Sequence, residues 1–263
     1  EVLFMLCPFG KSPTNAKLRG VTNCPFDPSI DLVQSVSIPL MRRLGVFNSM
    51  VSSSFSGGGE TIKMQVHKRG NMPDGGGEVT VLIPITSKLD IIDLCDSGSI
   101  KRIRGVAYCC KVAPAFSSKM IDQARGILND FTPDVYIYSD QASRATAGES
   151  PGFGLTVVAE STTHCLIGAD ACSSVDQKDP ETCSQAAVYQ LLEQIHGGGC
   201  VDASHQCIAL LMMALSEPDI SRIHTGMLTD SAVQLLRDLR EFLGVVFKVS
   251  VVEDGAVRLT CIG

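Results

Sequence analysis

The chain has 263 residues, 44% of them hydrophobic, enough for one large domain or two small ones around a sizeable core. A formal net charge of −6 and a pI near 5.4 exclude a protein that coats nucleic acid through bulk charge, so any RNA contact has to come from local basic clusters: Arg42-Arg43, Lys63/Lys68/Arg69 and Lys101-Arg102/Arg104. Eleven cysteines without a C-x-x-C pair read as reduced core thiols rather than a disulfide framework, and no apolar run approaches membrane-spanning length.

In chain order, the apolar run at residues 2–6 reads as a strand, followed by a second at 16–21. Asp27-Pro28-Ser29 predicts a helix start, with an acceptor at the cap and proline in the first turn. Val33, Val36, Leu40 and Leu44 then mark one face, Pro39 should kink the helix, and Gly45 ends it. The Ser/Gly-rich stretch 52–59 reads as a flexible loop. Strands at 61–67 and 79–85 flank Arg69-Gly70-Asn71-Met72-Pro73-Asp74-Gly75-Gly76-Gly77. Two readings of that segment stay open. Lys68, Arg69 and the N–H groups of Gly75, Gly76 and Gly77 suit an anion or RNA phosphate, and the same glycines suit a plain hairpin loop.

Residues 104–173 carry their own alternation: strand 106–112, helix 117–130, and strands 134–138, 155–160 and 164–168. His164-Cys165 with Cys172 and Cys183 has spacing too irregular for a zinc site, so no metal is expected. Helices follow at 181–195 and 203–215, then a short strand at 222–225. The helix at 231–243 places Ala232, Leu235, Leu236, Leu239, Phe242 and Leu243 on one face, with Thr229 or Asp230 as cap and Gly244 as stop. Strands 245–252 and 256–262 form a hairpin through Glu253-Asp254-Gly255. A strand–helix–strand–strand unit therefore occurs twice, near 16–85 and 222–262. On the polar face of the last helix, Arg237, Asp238 and Arg240 either grip a phosphate or acidic partner or form a solvated face.

The order Arg-Gly, two residues, Pro, one residue, Gly-Gly-Gly at Arg69–Gly77 resembles the signature of the RNA 3'-terminal phosphate cyclase family. Leu18-Arg19-Gly20-Val21-Thr22-Asn23, Asp27-Pro28-Ser29-Ile30-Asp31, Arg104-Gly105-Val106-Ala107, Ser150-Pro151-Gly152-Phe153-Gly154 and Gly199-Cys200-Val201-Asp202 fall in the family's order, over nearly the whole chain. The resemblance implies an α/β (α+β) fold of repeated sheet-plus-two-helix units, residues 1–103 and 174–263, with a small thioredoxin-like domain inserted at 104–173. It also implies that roughly the first quarter of the family's length, including its first repeat, is absent from this chain.

The family's active members use a histidine that attacks the α-phosphate of ATP, passes AMP to an RNA 3'-phosphate and lets the 2'-hydroxyl close the ring. Where the resemblance places that histidine, this chain has Thr225-Gly226-Met227-Leu228-Thr229-Asp230-Ser231, and the match runs short. His205 and His224 are the remaining candidates, each more commonly a packing or capping residue; in the Asp202–Gln206 segment only Asp202 and Gln206 map cleanly. Loss of the histidine is a mark of the family's cyclase-like branch. That branch implies no catalytic residues, no cofactor and a nucleolar, hence nuclear, role in pre-rRNA processing and small ribosomal subunit assembly. The partners it implies are a ribosome-biogenesis GTPase and the small-subunit processome with its pre-rRNA, and no membrane. The alternatives are an active cyclase working through His205 or His224, and a pre-rRNA endonuclease working through Arg237, Asp238 and Arg240.

Overall fold

A computed structural model describes residues 2–46, 61–86, 88–173, 179–252 and 255–263. The predicted 52–59 loop and the Glu253-Asp254 turn positions lie outside the described residues. The chain begins with a short helix, α1 (Val2–Leu6), where the apolar run suggested a strand; Phe4 is driven into the core and Val2 and Leu6 stay exposed. Next comes β1 (Thr14–Gly20), then a continuous helical stretch made of α2 (Ile30–Leu32), a π-helical turn (Val33–Ser37) and α3 (Ile38–Arg43). Its cap is Ser29, whose hydroxyl accepts from the Leu32 N–H at 3.2 Å; Asp27 and Pro28 lie outside the helix. The π turn lies just before Pro39, which has no N–H to give, and widening the turn there accommodates the proline where a kink was expected.

The strands β2 (Lys63–Lys68) and β3 (Gly77–Ile83) complete a three-stranded antiparallel sheet of order β1-β3-β2. After β4 (Asp93–Leu94) the chain enters a separate sheet: β5 (Ile100–Cys110), α4 (Ala115–Leu128), β6 (Val135–Ala142), β7 (Gly152–Ser161) and β8 (Leu166–Cys172), followed by α5 (Pro180–Gly197). The strand order is β6-β5-β7-β8, with β5 and β6 parallel and the other pairs antiparallel. Both helices lie on one face, over Ile103, Ala107, Val157 and Ile167, with Met120, Ala124, Leu128, Ala187 and Leu191 as their buried side. This is the β-α-β, β-β-α plan of a thioredoxin-like unit. Because α5 seals its core, the unit runs from Ile100 to Gly197, wider than the 104–173 that sequence pattern suggests.

The chain then returns through a 3-10 turn (Ala203–His205), α6 (Gln206–Ala214), β9 (Ile220–Thr225), α7 (Asp230–Leu243), β10 (Lys248–Val251) and β11 (Val257–Ile262). The order β9-β11-β10 repeats β1-β3-β2: in each unit strand, helix, strand, strand fold so that the last strand lies in the middle, antiparallel to both neighbours. The twofold repeat read from element order is thus present in the topology. β4 adds parallel to β9. One apolar core joins the two units, with Leu40, Met41 and Ile83 from the first and Ile208, Met212, Ile223, Leu239 and Leu259 from the second. The apolar stripe of α7 buries Ala232 and Leu239, but Phe242 is 79% exposed, so the stripe outruns the core by a turn. Among the described residues no disulfide forms, and seven of the eleven cysteines are buried. Among the described residues no helix is long and apolar enough to cross a membrane.

Candidate functional site

The Gly-rich segment does not form an open loop. It is threaded between two others, residues 20–23 after β1 and 146–150 before β7. Gly70 donates its N–H to the Thr22 hydroxyl at 3.0 Å, and its carbonyl accepts from the Thr22 N–H at 2.8 Å. The Arg69 N–H donates to the Thr146 carbonyl, and the Glu149 N–H to the Gly75 carbonyl, each at 2.9 Å. Asp74 and Ser150 exchange two further bonds, of 3.0 and 2.8 Å. Glycine is required because backbone meets backbone. A Cβ on Gly70 or Gly148 would collide with main-chain atoms of the neighbouring segment, and one on Gly76 (φ +76°) would lie 2.8 Å from the Glu149 nitrogen.

At the centre of this crossing Arg69 is buried. Its guanidinium makes two bonds to the Asp31 carboxylate, of 2.6 and 2.8 Å, and reaches Asp140 at 2.7 and 2.8 Å. Its other face lies over the Tyr108 ring, 4.9 Å from the centroid. Burial alone would pull the guanidinium down, but the bonds and charge of Asp31, and then of Asp140, outweigh it and hold the group protonated well above its usual value. The Tyr108 hydroxyl donates to Asn71 Oδ1 at 3.0 Å, and burial raises that phenol. One arginine thus joins α2, the first sheet and the inserted sheet. Asp140, Tyr108 and Asn71 are partners that sequence reasoning missed. Their signal is weak: a lone aspartate near a strand's end and a tyrosine in an apolar strand carry no spacing that points to residue 69.

Of the sequence-predicted anion or RNA group, Arg69 spends its donors on carboxylates, Gly75 donates to the Asn71 carbonyl at 2.9 Å, and Gly77 pairs with Gly20 in the sheet. Gly75 and Gly77 are buried, and only Lys68 is exposed. The structure uses this signature to weld three segments. The second predicted group lies on α7, where Arg237 and Arg240 are exposed and make no ion pair among the described residues, while Asp238 accepts from Gln234 at 2.8 Å.

The region expected to hold a nucleophile is built around α6 and the end of β9. His205 is fully buried: Nδ1 lies 2.6 Å from Asp202 Oδ1, and Nε2 lies 2.6 Å from the Ser37 hydroxyl in the π turn. Asp202 also accepts from the His205 N–H at 3.1 Å and the Gly168 N–H at 3.0 Å. This Asp–His–Ser chain has the order of a hydrolytic triad, but Ser37 and His205 are both 0% exposed, so no substrate atom reaches either one. Gln206 braces the Thr225–Thr229 stretch, donating to Thr225 Oγ1 at 2.8 Å and the Met227 carbonyl at 2.9 Å and accepting from the Thr229 N–H at 2.9 Å. His224 is partly exposed; its Nε2 accepts from Arg258 Nε at 2.6 Å, and burial and then the Arg258 charge lower its pKa. Among the described residues no cluster of His, Cys, Asp and Glu is placed to hold a metal ion.

Comparison with known proteins agrees with this architecture. A family model described as RNA 3'-terminal phosphate cyclase (RTC), insert domain, matches residues 95–196, the stretch that forms the second sheet and its two helices. A probable RNA 3'-terminal phosphate cyclase-like protein of Dictyostelium discoideum is 37% identical over 278 aligned residues, covering 100% of this chain and 72% of the relative. The RNA 3'-terminal phosphate cyclase-like protein of Homo sapiens is 38% identical over 274, with 100% and 70% covered. An rRNA processing protein of Schizosaccharomyces pombe is 36% identical over 267, with the same coverage. With relatives of this identity over its whole length and the insert's fold in place, the chain belongs to the RNA 3'-terminal phosphate cyclase-like family.

Proposed function

We propose that this protein acts in pre-rRNA processing and small ribosomal subunit assembly without catalysing RNA cyclisation. The relative from Schizosaccharomyces pombe, named as an rRNA processing protein, supports the process. The observation that carries the absence of cyclisation is the state of the histidines. No histidine follows Thr225-Gly226; His224, directly before it, has Nε2 taken up by Arg258, and His205 is locked between Asp202 and Ser37 away from solvent. A nucleophile needs a free nitrogen in line with a phosphorus atom, and His205 has both nitrogens engaged. On this reading the protein is a nucleolar assembly factor that holds a ribosome-biogenesis GTPase and pre-rRNA within the small-subunit processome, and the Arg69 weld keeps the two parts of its surface in fixed register.

The test is adenylylation. The protein, preceded by whatever segment the whole polypeptide carries, is incubated with labelled ATP, a divalent cation and RNA bearing a 3'-phosphate, beside an active cyclase. A blank lane beside a labelled control is expected. An acid-labile protein–AMP adduct that disappears in His224→Ala would make the protein an enzyme and end this reading.

A further inference from the structure

The sheet β10-β11-β9-β4 buries Leu259, Ile223 and Leu94 on one side, against α6 and α7. Its other side is polar except at one end, where Ile220 and Ile262 pair across β9 and β11 and stay exposed. Strand register lines up Lys248, Thr260, Arg222 and Asp93 in one row across the four strands. One step along, Ser250, Arg258 and His224 form the next row. A cavity of about 430 Å³ opens over this grid, lined by Asp93, Cys95, Arg222, Lys248, Ser250, Arg258 and Thr260.

The arrangement of charge is specific. Neighbouring strands lie ~4.8 Å apart and alternate residues ~7 Å apart along a strand. Lys248 and Arg222 therefore flank the Thr260 hydroxyl from the two adjacent strands, and Arg258 stands one step behind it on the same strand. Three cations from three strands surround one hydroxyl. Lys248 makes no ion pair among the described residues, and Arg222 has only Asp93, at 3.8 Å. Arg258 points Nε at His224, which accepts as a neutral imidazole, so the bond orients the guanidinium without cancelling its charge. Three cations against one carboxylate leave a surplus of positive charge on a chain whose net charge is −6.

We propose that this sheet face is a binding site for the phosphodiester backbone of a single RNA strand, with one phosphate held over Thr260 by Lys248, Arg222 and Arg258. A phosphate presents oxygens in several directions, and it suits point and fork donors arriving from three sides with a hydroxyl beneath. An open face rather than an enclosed pocket fits a chain that continues past the site. No aromatic side chain lines the cavity, so bases are not stacked and the binding is independent of sequence. The site is separate from the Arg69 weld and from the histidine region, and its failure would leave the assembly role proposed above untouched.

The experiment is fluorescence anisotropy of the full chain with a labelled single-stranded oligoribonucleotide of mixed sequence, titrated at several salt concentrations. Lys248→Ala, Arg222→Ala and the double variant are compared with the unchanged protein, and melting curves confirm folding. Each single variant is expected to weaken binding about three- to tenfold and to reduce the slope of log affinity against log salt by about 0.7 to 1. Asp93→Asn, which removes the opposing carboxylate, is expected to tighten binding. Should Arg222→Ala unfold the protein, Lys248→Ala, exposed and without an ion pair among the described residues, carries the test alone. Unchanged affinity and slope in the folded variants would overturn the proposal. So would a labelled oligoglutamate peptide whose binding falls in the double variant while RNA binding holds, since the face would then serve an acidic protein segment.

Discussion

Arg69 and Asp31, 38 residues apart in sequence, meet through two hydrogen bonds of 2.6 and 2.8 Å with both side chains about nine-tenths buried. A pair this far from water contributes through the cost of separating it: removing one partner leaves the other charged, desolvated and alone. Arg69→Ala is expected to lower the unfolding free energy by roughly 3–5 kcal/mol, measured by urea denaturation. Arg69→Lys keeps the charge but loses the fork that spans two carboxylates, so it should fall between the two. A loss under about 1 kcal/mol for Arg69→Ala, the range of an exposed pair, would show that the crossing does not depend on this residue.

The glycines of the crossing give a second, opposed pair of expectations. Gly76→Ala has to fit a Cβ 2.8 Å from the Glu149 nitrogen at a φ of +76°, so backbone has to move. A loss of roughly 2–3 kcal/mol is expected from steric conflict joined to an unfavourable dihedral. Gly126 sits inside α4 with nothing within 4 Å of a built Cβ. Gly126→Ala should therefore stabilise by about 0.5–1 kcal/mol through helix propensity alone. Melting temperatures moving in opposite directions for the two substitutions would separate them.

How far these relationships were legible differs by residue. The amphipathic stripe of α7, its Thr229 cap and its Gly244 stop are local, and they are found where sequence places them. The twofold strand–helix–strand–strand plan is also legible, because it needs only element order. The α1 segment was not: five apolar residues fit a strand or a helix equally, and packing of Phe4 decides it. Nor was Ser29 as cap, since Asp27-Pro28 offers an equally good local signal and only the fold shows that Asp170 accepts from the Ser29 N–H at 2.8 Å, fixing the helix start. The Gly-rich segment was recognisable as special, but whether its glycines admit a ligand or another backbone depends on residues 143–150, about seventy positions on, and no local pattern reports that distance.

His205 offers a test that separates structure from catalysis. His205→Ala leaves the Asp202 carboxylate buried with one partner fewer and opens a cavity the size of an imidazole beside Ser37. A destabilisation of roughly 2–5 kcal/mol is expected from the unpaired group and the void. The protein–AMP assay should be blank before and after the substitution. His205→Asn, which can still donate toward Asp202, should recover part of the stability. A variant that is fully stable but newly defective in an adenylylation present in the unchanged protein would assign His205 a chemical role instead.

His224 is the histidine whose titration reports on the open sheet face. Burial, and then the Arg258 charge, hold its pKa below the ordinary 6.5. A proton bound more weakly in the folded than in the unfolded chain means that the unfolded state takes up more protons as pH falls. The stability that neutral His224 provides is therefore complete above pH 6.5 and is lost as pH drops below that value toward the folded pKa. The imidazole resonances of His224, followed by NMR across this range, should show a midpoint under 6.5 that moves upward in Arg258→Ala, because the nearest positive charge is gone. In His224→Gln the fall in stability below pH 6.5 should be shallower, since the titrating group has been removed. A midpoint at or above 6.5 in the unchanged protein would show that burial and the Arg258 charge do not disfavour the imidazolium. The 2.6 Å Nε to Nε2 bond needs an accepting nitrogen, so it holds only for the neutral imidazole and should break as the ring protonates.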